Sequence, residues 1–80
     1  MPVIFRNGRF RFFFYANEGN PREPPHVYVD HGDNEAKFWL RPNVRIAHND
    51  GFNAKTLREV LDLVTANQER AERAWNDFFG

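Results

Sequence analysis

The sequence predicts an α+β domain. Two antiparallel β-hairpins form a mostly antiparallel sheet of four or five strands, and two C-terminal helices pack on one of its faces. Three observations lead there. Apolar and polar residues alternate with period two in two stretches before residue 50. Asn7-Gly8 and His31-Gly-Asp-Asn34 interrupt those stretches with turn chemistry. Beyond Asn53 the apolar period changes to 3.6. Runs of strands followed by runs of helices belong to this class. The chain, 1–80, reads as one domain, with 1–50 as its sheet-forming half and 53–79 as its helical half.

The first fifteen residues read as a hairpin. A two-residue type I′ turn at Asn7-Gly8, where both positions need positive φ, pairs Phe5 with Phe10 and Val3 with Phe12. Ile4 then faces Arg11 and Pro2 faces Phe13. Residues 16 to 25 hold three prolines, a glycine and two asparagines, so no helix or central strand passes through them. An ordered surface loop is expected there. His26 to Asp30 and Glu35 to Leu40 form the second hairpin, with Val29 beside Ala36 and Val27 beside Phe38 on a core face. Its opposite face sets Tyr28 beside Lys37 and His26 beside Trp39, with Asp30 and Glu35 at the tip. Val44 to His48 reads as a fifth strand before an Asn49-Asp50-Gly51 turn.

From Ala54 to Phe79 an unbroken helix would run about 39 Å. A chain of this length should have a radius of gyration near about 12 Å and a width of about 30 Å. Asn53 suits the first helix cap, and Asn67 before Gln68-Glu69 suits a second, so two helices are expected. The expected core holds Phe10, Phe12, Val27, Val29, Phe38, Leu57, Val60, Leu61, Val64 and Trp75. Phe78 is placed with Trp75 in that core.

Composition narrows the function classes. Apolar residues make up 41% of the chain and aromatic ones 16%, so a short chain must build its core from rings. Cysteine and serine are absent, and both Thr lie in the helical half, which argues against a hydroxyl or thiol nucleophile. Eleven basic and eleven acidic side chains cancel, which argues against a nucleic-acid coat or a polybasic membrane binder. The longest apolar run, Phe12 to Ala16, is far below the ~20 residues that span a bilayer. Arg6, Arg9 and Arg11 alternate with Phe, unlike a signal peptide, so the cytoplasm is the expected compartment.

Charge is nonetheless uneven. Residues 1–22 hold four Arg against one Glu, a local +3, while 23–52 sum to −2 and 53–80 to −1. Arg6, Arg9 and Arg11 are therefore candidates for phosphate contacts, weighed against a role in solvating a strand edge. His26 and His31 lie on opposite faces of one strand and His48 is remote, so no metal site is expected and no cofactor is called for.

The His26–Tyr28–Lys37–Trp39 face is the strongest candidate for chemistry, flanked by Glu35. A neutral imidazole can serve as acid or base, Lys37 can hold a phosphate, and Trp39 or Tyr28 can stack on a base. That set suits a metal-independent ribonuclease using His26, Tyr28 and Lys37. The competing reading has helices covering this face and the polar groups making structural hydrogen bonds. Trp75 to Phe79 adds three rings in five residues, some for the core and the rest for a partner.

Four motifs in order carry a resemblance. Pro24-Pro25-His26-Val27-Tyr28-Val29, Glu35-Ala36-Lys37-Phe38-Trp39-Leu40, Ala47-His48-Asn49-Asp50-Gly51-Phe52 and Trp75-Asn76-Asp77-Phe78-Phe79 resemble a bacterial family of domains of unknown function, numbered 4160. The Arg11-Phe12-Phe13-Phe14-Tyr15 run belongs to the same match. The resemblance implies a small stand-alone protein, often encoded beside a second small family, numbered 2442, in a toxin–antitoxin-like arrangement. Relatives commonly carry His where this chain has Tyr28, so the His-x-His pair is reduced to His26 here. The leading expectation is a component of such a module that binds a small protein partner. The alternatives are a nucleic-acid-binding module using the basic hairpin and the ribonuclease.

Overall fold

The computed structural model describes residues 3–15 and 23–79. Its strands are β1 (Val3–Asn7), β2 (Phe10–Phe13), β3 (His26–His31), β4 (Asn34–Trp39) and β5 (Arg45–Asp50). Two helices follow, α1 (Ala54–Ala66) and α2 (Gln68–Phe79). The strands form one antiparallel sheet in the order β1-β2-β3-β4-β5, so each strand pairs with its neighbour in sequence. The expected loop at 16 to 25 lies largely outside the described residues.

The second hairpin has the expected register, with Val27 opposite Phe38, Val29 opposite Ala36, Tyr28 opposite Lys37 and His26 opposite Trp39. The first hairpin does not. Asn7 pairs with Phe10 and Phe5 with Phe12, which moves the turn to Gly8-Arg9. Gly8 has φ +60, whereas no described non-glycine residue has positive φ. One glycine at the first central position is the requirement of a type II′ turn, so Asn7 is released to the ladder. The shift is worth having, because Phe5 and Phe12 now stack at 4.3 Å between ring centroids. An irregularity between Val3 and Phe5 then sets Val3 opposite Phe13.

The fifth strand is also displaced from its expected bounds, beginning at Arg45 and including Asn49 and Asp50. Asn49 does not turn the chain. Its side chain instead accepts from the Phe52 N–H (3.2 Å) and donates to the Phe52 carbonyl (2.9 Å), turning the chain at Gly51 into the helical half. Phe52 is thereby buried with its ring edge-on to Phe10. Asn53 caps α1 as expected, its side chain accepting from the Thr56 N–H at 2.8 Å. The break at Asn67 is also present, and the Asn67 side chain donates to the Leu63 carbonyl at 2.8 Å.

Both helices lie on the sheet face that carries Phe12, Val27, Val29 and Phe38. Val60, Val64, Ala71 and Trp75 project onto it, forming one apolar cluster with Phe5, Phe10, Phe14, Ala36, Leu40 and Phe52. Leu57 and Leu61, expected in the core, are only partly buried at its rim. Gln68 donates to the Leu40 carbonyl at 2.7 Å, tying the start of α2 to the end of β4. Phe78 departs from expectation most: it is 46% exposed, because it falls on the outer side of the last turn of α2. The principal extents, 34 × 23 × 21 Å, agree with the size expected for this length.

Phe12 is wholly buried and fills the space beneath Phe5. Phe12→Ala is expected to cost about 3–5 kcal/mol of stability, read by urea denaturation. A loss below about 1 kcal/mol would mean that the core is not packed around this ring.

Candidate functional site

The sheet face away from the helices carries most of the residues singled out from the sequence. Three cross-strand rows organise it. The first runs Arg6, Arg11, Asp30, Glu35, Asp50, and the second Val3, Phe13, Tyr28, Lys37, His48. The third holds His26, Trp39 and Arg45. Tyr28, Lys37 and Trp39 therefore do share a face, as the alternation in β3 and β4 required.

His26 is different. It belongs to this face by register, yet none of its surface is exposed. The C-terminal end of α2 reaches around the end of the sheet, setting the Trp75 ring 4.6 Å from the imidazole. Trp39 and Tyr28 flank it edge-on, each at 5.6 Å. Its Nδ1 donates to the Pro24 carbonyl at 2.9 Å, since a carbonyl can only accept. Val27 points into the main core as expected, so the strand register stands while His26 is buried as well. The imidazole presents no surface to solvent. Of the two readings offered for the His, the structural one fits its position.

Arg11 and Lys37 on this face are both engaged with carboxylates. Arg11 grips Asp30 with two hydrogen bonds, 3.0 Å from Nε and 2.5 Å from a terminal nitrogen. That hydrogen bond is the leading cause that holds the Arg11 guanidinium above its ordinary pKa. The same guanidinium lies 5.0 Å from the Phe13 ring centroid. Lys37 pairs with Glu23 at 3.2 Å and sits 4.5 Å from the Trp39 ring centroid. Of the three candidate phosphate contacts, Arg11 is thus committed to Asp30 and Arg9 to Glu59 on α1. Arg6 is exposed on the edge strand. Two of the three hairpin arginines are therefore answered by carboxylates.

Two features were not read from the sequence. Phe13 is wholly buried on the face away from the helices, packed by Tyr15 (5.2 Å) and Tyr28 (5.6 Å). The Tyr15 hydroxyl donates to Glu35 at 2.8 Å, so Glu35 is a structural acceptor rather than a free carboxylate. His48 stands opposite Lys37 because β5 carries one extra residue between the pairings of Lys37 and Phe38. His48 is exposed, unlike His26 on the same face. A bulge position cannot be read from residue types alone, and that is why no convergence of His48 with Lys37 was visible.

Two hollows described on the surface lie away from these residues. One, about 520 Å³, is at the α1–α2 junction beside Asn67, Arg70 and Arg73. The other, about 150 Å³, lies between the first turn and α1, beside Arg9 and Glu59. Among the described residues no group of three or more His, Cys, Asp or Glu is placed to hold a metal ion. No described helix is long and apolar enough to cross a membrane.

An open antiparallel sheet backed by two helices on one face places the protein in the α+β class, with a buried histidine at the sheet end. Within that class, the sequence model of a domain of unknown function, DUF4160, matches residues 10–76, and the chain belongs to that family. Searches of curated proteins and of solved structures found no match.

Burial, and then the hydrogen bond to Glu35, raises the Tyr15 pKa above its ordinary value near 10. The phenol holds its proton more tightly folded than unfolded, so its contribution is complete below pH ~10 and is lost as pH climbs through the raised value. Wild-type stability should therefore fall above pH ~10, and Tyr15→Phe should flatten that fall. Equal slopes in the two proteins, measured by chemical denaturation across the alkaline range, would contradict the assignment. His26→Ala should destabilise the fold by about 2–4 kcal/mol, since it opens a cavity beneath Trp75. A His26→Ala protein as stable as wild type would show that the imidazole is not packed as described.

Proposed function

We propose that this protein works by binding a small protein partner, as one component of a toxin–antitoxin-like pair acting in the cytoplasm. The observation that carries this reading is Phe78. It is a large apolar ring left 46% exposed at the end of the chain's last helix. It is held in place by a cluster rather than dangling: Phe79 lies 4.8 Å from it and Phe14 6.2 Å. An exposed ring packed on other aromatic rings is the kind of anchor that dominates protein interfaces.

The state of the catalytic candidates supports the same reading. The histidine that would move protons in a ribonuclease using His26 is closed off from solvent. The lysine that would hold phosphate is already paired with Glu23 and half-buried. Two of the three hairpin arginines that would hold nucleic acid are paired with carboxylates. The resemblance noted in the sequence suggests the partner, a small protein of family 2442 of the kind often encoded beside members of this family.

Co-expression with the product of the neighbouring gene, followed by size-exclusion chromatography, tests the reading. One co-eluting peak is expected, and Phe78→Ser should weaken the complex roughly 30-fold, the loss of a single hot-spot ring. Phe78 is exposed, so the same substitution should leave stability within about 1 kcal/mol of wild type. Separate peaks, or a complex indifferent to Phe78→Ser, would remove the support.

A further inference from the structure

The sheet ends at β5, a strand of six residues that pairs with β4 on one side only. Five of its six residues are exposed, among them Ile46, which is 42% exposed. Its outer row of backbone donors and acceptors is a template for another strand. The side chains along it say which strand.

The extra residue at Ala47 has a consequence for charge. In a regular strand, Arg45 and Asp50 would fall on opposite faces, because they are five residues apart. The bulge brings both to the open face, Arg45 opposite Trp39 and Asp50 opposite Glu35. Two β5 strands meeting antiparallel about a twofold axis at Ala47–His48 therefore set Arg45 of one copy against Asp50 of the other. The same contact recurs at the opposite end, as isologous symmetry demands. Ile46 then meets Asn49 of the second copy on the helix side.

The monomer leaves both charges in need of this. Asp50 lies directly across the ladder from Glu35, a like-charged pair that costs stability. Among the described residues Arg45 donates to the Arg41 carbonyl at 3.0 Å, and a guanidinium has further donors to give. The other outer strand offers no such match. β1 reads Val-Ile-Phe-Arg-Asn and contains no carboxylate to answer Arg6. The bulge and charges that blunt an edge against arbitrary strands thus leave one complement, the same strand in reverse.

We infer that two copies of this chain pair through β5, joining their sheets into one of ten strands with the helix layers on the same side. The inference rests on β5 and not on Phe78, so it stands or falls apart from the partner reading. Sedimentation of the full chain should give a species of twice the 9.5 kDa chain mass. Arg45→Asp and Asp50→Arg should each weaken the dimer at least about tenfold, since each sets like charges opposite at both ends. The double variant Arg45→Asp with Asp50→Arg restores both contacts and should return the dimer, which also controls for any loss of folding in the single variants. A chain that stays monomeric up to millimolar concentration would overturn the inference. So would a dimer unmoved by either single reversal, or one that the exchange of charges fails to rescue.

Discussion

Trp75 joins three parts of the molecule that are far apart in sequence. Its indole meets Phe14 edge-on at the end of β2, His26 at the start of β3, and Phe79 one turn further along α2. The position of α2 over the sheet depends on this contact, because most of that helix is polar and only Ala71 and Trp75 are buried. With Trp75 seated, Gln68 reaches the Leu40 carbonyl and Arg41 pairs with Glu72 along the same helix. The exposed ion pairs add little by themselves. The rings supply the stabilisation, at about 1.5–3 kcal/mol for each large apolar side chain withdrawn from water.

That constraint also decides what the sheet can do chemically. Seating Trp75 closes the end of the sheet over His26 and turns the most reactive side chain of the Tyr28 face into a packing element. Phe78, one helical turn past Trp75 but rotated outward, is left facing solvent by the same geometry. Burial of one residue and exposure of its neighbour are two results of a single helix orientation. On the open face Arg11 is bound to Asp30, Tyr15 to Glu35 and Lys37 to Glu23.

Period and turn chemistry are enough to read the two hairpins, the β3–β4 register and both helices. They work where a tight turn fixes the pairing, as at Gly32, or where an Asn caps a helix, as at Asn53. They failed where the deciding energy is tertiary. The first turn slipped by one residue because the gain from stacking Phe5 on Phe12 is invisible in a turn propensity. Alternation places His26 on the Tyr28 face, where the register has it, but carries no sign of the helix end that arrives from fifty residues away to bury it. Phe13 was legible as opposite in face to Phe12, but not as buried, since its partners Tyr15 and Tyr28 meet only once β2 lies beside β3. His48 was hidden by a one-residue bulge.

The central claim is that His26 is a structural residue held under Trp75, with its Nδ1–H donating a hydrogen bond to the Pro24 carbonyl. Imidazole N–H exchange by nitrogen-edited NMR reads this directly, because His26, His31 and His48 report separately. A single protected ring proton is predicted, on Nδ1 of His26, with nuclear Overhauser contacts to Trp75, while the ring protons of the exposed His31 and His48 exchange rapidly with water. A His26 ring proton that exchanges as fast as the other two would place the imidazole in solvent and contradict the account.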